Sequence, residues 1–184
     1  MTGFCPRQFN RYVASCPPRF MPIPQKALEL ENRSIGINGE PTLAAAYDIL
    51  KEQWRNGDRD RELGLHLMFL AWYGIIEPGY LTGFSGTNGI SQEMNAELNQ
   101  MLEEVHAYFE PQIQQNAEML YVFGLMSELF WFMLDNSSAW EKRSIEYHQR
   151  YRALLPNGIA PEVFHNRGAY GDYYAGQAAV EGGY

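Results

Sequence analysis

Two runs of nearly uninterrupted apolar residues, Leu63–Ile76 and Met119–Leu134, constrain this chain more than any other feature. The first is broken by Gly64 and His66, the second by Gly124, Ser127 and Glu128. A helix that is apolar on every side either spans a membrane or is buried on most sides. Spanning takes about 20 apolar residues, and both runs fall short. Both are therefore expected in the core, with half-polar helices wrapped around them and no membrane contact. Gly64 and Gly124 are expected where the two central helices touch, because a glycine inside a helix otherwise costs about 1 kcal/mol against alanine.

The rest of the chain supplies the wrapping. Leu43, Ala46, Tyr47, Leu50 and Trp54 fall on one helical face from Thr42 onward, and Asn56-Gly57 marks that helix's end. Asp58 or Asp60 is then expected to cap the helix carrying the first apolar run. A third helix is predicted from Ser91 to Phe109, with Met94, Leu98, Met101, Leu102, Val105, Tyr108 and Phe109 inward and Pro111 as its stop. The fourth is predicted over about 112–134. The fifth opens on Ser138-Ala139-Trp140-Glu141, a capping-box pattern, and runs to about Leu155 before Pro156-Asn157-Gly158. Pro161 is placed to open a short sixth. The fold class is all-α: five to six helices in antiparallel hairpins, as a bundle or a helical-repeat-like array. The tetratricopeptide pattern fails on either hairpin.

Both ends read differently. Residues 1–41 carry Pro6, Pro17, Pro18, Pro22, Pro24 and Pro41 and are expected to form an irregular arm packed on the domain, with a short helix over 25–32. The helical domain covers 42–167. The tail, 168–184, is rich in Gly, Tyr and Ala and is expected to be extended or partly disordered.

Composition narrows the function classes. A formal net charge of -8, with no Lys/Arg cluster, opposes binding to nucleic acid. Cys5 and Cys16 show no zinc-ligand spacing. Reduced thiols in a cytoplasmic protein are the default, and a Cys5–Cys16 bridge is the alternative. Met1 to Met21 holds three prolines, three arginines and no apolar core of a signal peptide, which also makes the cytoplasm the expected compartment.

Chemistry-bearing patterns are incomplete. Glu103 and His106 form a Glu-x-x-His pair, which di-iron bundles use twice, but Ile145 stands three residues before His148, so the second copy is missing. The glycines at 79, 83, 86 and 89 precede a helix, yet lack the Gly-Lys-Ser/Thr of a phosphate loop. No nucleophile elbow is present, and neither cysteine has a histidine nearby. No catalytic residue, metal or cofactor is assigned. Glu128 and His66 are the polar groups within the apolar runs, where an ionised group needs a partner.

The leading expectation is a helical protein–protein interaction module without catalytic activity. Its contact surface is placed on Trp54, Trp140, Tyr147 and Tyr151 or on the tail tyrosines Tyr170 and Tyr173, and its partner is another protein or a second copy. The alternative is an enzyme or small-ligand binder with an apolar pocket between 63–76 and 112–134, using Glu128 and His66.

Overall fold

The turn after the first long helix shows how local chemistry sets the topology. The computed structural model describes residues 23–32, 42–76 and 92–181. Helix α2 spans Thr42–Arg55 and ends where Gly57 takes φ +94°. The N–H of Gly57 donates to the Trp54 carbonyl at 3.1 Å, and that of Asp58 donates to Gln53 at 3.1 Å. This double bond pattern satisfies carbonyls that the helix end leaves open, and it needs a residue tolerant of positive φ. Asp60 then accepts the Glu62 N–H at 2.8 Å, capping helix α3, Arg61–Ile76. The chain reverses within five residues, so α2 and α3 pack as neighbours.

Five more helices and two 3-10 turns complete the described residues. Helix α1 covers Gln25–Glu31, as the arm's short helical stretch suggested. Helix α4 covers Gln92–Ile113, α5 Ala117–Phe130, α6 Ser137–Leu154 and α7 Gly168–Glu181, with 3-10 turns at Trp131–Met133 and Pro161–Phe164. Among the described residues the fold is all-helical, with no strand. The remaining arm residues, both cysteines and the glycine-rich stretch 77–90 lie outside the described residues.

The first apolar run is core along its length: on α3, thirteen residues are buried, among them Leu65, Leu67, Met68, Leu70, Ala71 and Trp72 at 0–2% exposure. It packs against α2, α4 and α7. The second run divides. Met119 to Ser127 is mostly buried, and then Phe130 leaves helical geometry at φ -143°. Leu129 just before it and Phe132 and Met133 beyond it are exposed, Phe132 by 62%. The expectation of one buried helix to Leu134 is corrected accordingly.

The two glycines do not face each other. A Cβ at Gly64 would stand 2.2 Å from the Phe109 ring, and one at Gly124 would stand 3.1 Å from the His148 ring. Each glycine admits a bulky ring from the next helix in sequence, so close approach occurs at α3–α4 and at α5–α6.

Three boundaries also differ from the sequence reading. Pro111 does not stop α4, which continues to Ile113 because that side chain is anchored at 0% exposure. The capping box does not form: α6 starts at Ser137, one residue earlier, after Asn136 in the left-handed conformation with no side-chain cap. The tail is helical from Gly168 to Glu181. Its Tyr170, Tyr174 and Ala178 recur every four residues and are all buried, so packing of that stripe overrides the poor propensity of its glycines.

Candidate functional site

Charged side chains from distant parts of the sequence converge at the start of α7. Glu31, the last residue of α1, has no exposed side-chain surface. Its two oxygens lie 2.8 and 2.9 Å from Nδ1 of His66, which is also fully enclosed. The backbone N–H of Tyr170 donates to Glu31 Oε2 at 3.5 Å. Gly168 makes this approach possible: it takes φ +62°, and a Cβ there would sit 2.5 Å from Glu31 Oε2.

Glu62 stands one turn before His66 on α3, which puts both on one helix face. Its Oε1 is 3.5 Å from His66 Nε2, a charge contact without hydrogen-bond alignment. Arg167 grips Glu62 with Nε and Nη2, each at 2.5 Å, and reaches Glu118 in the first turn of α5 with Nη1 at 2.6 Å. The Tyr170 hydroxyl donates to Glu118 at 2.8 Å, and Arg61 lies 3.9 Å from the same carboxylate. The guanidinium of Arg167 also sits 4.8 Å from the centre of the Tyr170 ring.

These contacts set the protonation states. Burial opposes a charged His66, but Glu31 and Glu62 outweigh it and raise its pKa above the usual imidazole value. Burial alone would raise Glu62, whereas the nearby His66 and the hydrogen bonds and charge of Arg167 hold it down at about 2. Burial, reinforced by Glu118, raises the Tyr170 hydroxyl well above its ordinary value. The cluster thus balances three carboxylates against His66, Arg167 and the rim cation Arg61. Its members pair with one another, which joins α1, α3, α5 and α7 and leaves the His66–Glu31 pair closed to solvent.

A second enclosed pair lies between α4 and α6. His106 Nε2 is 2.6 Å from the Tyr147 hydroxyl, with Trp140 and Phe123 edge-on at ring distances of 5.0 and 5.6 Å. Burial and the nearby Arg143 push the His106 pKa down to about 3, so the ring is neutral and the Tyr147 hydroxyl donates to it. Burial pushes Tyr147 up to about 12. Glu103, the motif partner of His106, pairs instead with Arg143 at 3.1 Å. Among the described residues no group of three His, Cys, Asp or Glu side chains is arranged to hold a metal.

The structure does not bring His66 and Glu128 together. His66 belongs to the enclosed cluster, while Glu128 is 58% exposed and pairs with His148 at 3.0 Å. The outward face of α5 carries Glu128, so the carboxylate reaches water and a surface histidine. Nor do the aromatic residues expected as a contact surface lie on the outside. Trp54 is 1% exposed and donates to Glu104 at 2.6 Å beneath Arg59. Trp140, Tyr147 and Tyr151 are core, Tyr151 accepting the Ile159 N–H at 2.7 Å. Tyr170 is core as well, and half-buried Tyr173 packs on Phe69, Trp72 and Tyr73.

Sequence reasoning missed Glu31, Glu118 and Arg167. A signal existed for Glu31, since it shares the face of Ala27 and Leu30, both buried. Glu118 reads as a routine acidic first-turn residue, and nothing local marks Arg167.

No protein-family model, curated protein or solved structure matches this chain. Among the described residues, no helix is long and apolar enough to cross a membrane.

Proposed function

We propose that this chain is a cytoplasmic helical protein–protein interaction module, docking another protein without chemistry of its own. The observation that carries the reading is the apolar corner at the end of α5. Leu129 at 36%, Phe132 at 62% and Met133 at 39% exposure lie close in sequence, across the end of α5 and the 3-10 turn that follows it, with Phe130 packed against Trp72. Apolar side chains gathered at one exposed place favour a docking role, whereas scattered ones carry no meaning. The polar groups point the same way, because the His66–Glu31 pair is fully enclosed and offers a substrate no approach. A shallow depression of about 420 Å³ beside Asn157, Ile159, Pro161 and Ala178 has no titratable lining residue.

The test is affinity purification from the native cell with quantitative mass spectrometry, comparing the parent chain with Phe132→Asp. The expected result is a protein enriched by the parent and lost from the variant, with the two chains equally stable. Equal recovery by both would remove the corner from the interface, and no enriched protein would overturn the interaction reading.

A further inference from the structure

At the inner end of α7 a buried carboxylate meets a buried imidazole. The Glu31 carboxylate is fully enclosed, and among the described residues the only cation beside it is the His66 ring, with the neutral Tyr170 N–H as a further contact. Around His66 stand Glu31 from α1, Glu62 on its own helix at 3.5 Å, and the Tyr170 ring of α7 at 4.8 Å. Arg167, in the turn before α7, reaches this group through Glu62, and Glu118 of α5 reaches it through Arg167 and the Tyr170 hydroxyl. Remove the His66 proton and three carboxylates face Arg167 and the distant Arg61, with Glu31 left uncompensated in a dry site. An enclosed charge without a partner is strongly unfavourable.

Helix α7 depends on its contacts with the rest of the fold. It is the last helix described, and it contains Gly168, Gly171 and Gly176, which give it weak intrinsic stability. Its far end is tied by Arg152–Glu181, with Arg152 49% exposed, and exposed pairs of this kind contribute little. The inner end is held by Arg167 on Glu62 and Glu118, by the Tyr170 hydroxyl on Glu118, and at Glu31, whose charge among the described residues is met by His66.

We propose that His66 is the pin of a pH-sensitive latch: loss of its proton releases residues 161–181 while α2 to α6 stay folded. Release would uncover the aromatic bed of Phe69, Trp72 and Tyr121 beneath Tyr173 and Tyr174. The sign follows from linkage. A histidine whose folded pKa is raised stabilises the closed form fully below about pH 6.5 and loses that contribution as pH rises through the folded value. Between those limits the opening equilibrium grows about tenfold per pH unit.

Hydrogen exchange of the full chain, read by mass spectrometry from about pH 6.5 to about pH 9 and corrected for base-catalysed exchange, tests this. Peptides from 161–181 should lose protection by about tenfold per pH unit while peptides from α3 and α5 keep theirs. Glu31→Gln removes the charge that needs compensation, so its 161–181 peptides should stay protected and show no pH response. The proposal is overturned if the parent's 161–181 peptides show no pH dependence, if all peptides lose protection together, or if Glu31→Gln retains the parent's response. The parent titration decides the matter even if the variant fails to fold.

Discussion

Replacing Arg167 with methionine is the sharpest probe of how this fold is held. Methionine keeps much of the side-chain volume and removes the charge, leaving Glu62 and Glu118 without their main cation. These two side chains are 21% and 11% exposed, so water replaces the lost contacts only in part. Glu62 is held from the usual 4.5 to about 2, which corresponds to about 3 kcal/mol favouring its charged form. His66 supplies a share of that, whereas Arg167 also stabilises Glu118, so about 3 kcal/mol is the expected loss. It agrees with the cost of removing one partner of a buried pair. For a chain of this length the melting temperature should fall by about 6–12 °C at pH 7.

The pH profile separates this explanation from simple loss of packing. A depressed carboxyl pKa gives stability that is present above about pH 4.5 and is lost as pH falls toward 2. The parent should therefore lose stability across that window, and Arg167→Met should start lower and lose less. Adding Glu62→Gln to Arg167→Met should recover part of the loss, because the unpaired charge is then gone. Urea unfolding followed by tryptophan fluorescence measures all three chains. A loss under about 1 kcal/mol for Arg167→Met, or an acid slope equal to the parent's, would refute the cluster as a source of stability.

Other substitutions probe separate contacts. Gly171→Ala places a Cβ 2.2 Å from the Phe164 carbonyl oxygen, a backbone atom that cannot swing away, so a loss of about 2–3 kcal/mol is expected in thermal unfolding; parental stability would contradict the close approach. Tyr147→Phe leaves His106 Nε2 without its donor in an aromatic enclosure and should cost about 1–3 kcal/mol in urea, with no change meaning that the bond is dispensable. Asp60→Ala removes the cap of α3 and should cost about 1 kcal/mol, detectable as a lower denaturant midpoint at unchanged slope.

Much of this architecture is present in local sequence. The spacing of Leu43, Tyr47, Leu50 and Trp54 fixes the buried face of α2, and Asn56-Gly57 with Asp60 fixes the reversal into α3, because these depend on neighbours within a few residues. The core identity of Leu63–Ile76 follows from its apolar content alone. What only the tertiary structure decided is which helix each residue meets. The glycines at 64 and 124 were legible as close-approach positions, but their partners Phe109 and His148 come from other helices. The same holds for α7, whose glycines argue against a helix until Tyr170 and Tyr174 find an enclosing bed. It holds most of all for Glu31, Glu62, Glu118, His66 and Arg167. Electrostatic partners need proximity in space and a shared low dielectric, and neither leaves a periodic trace along the chain.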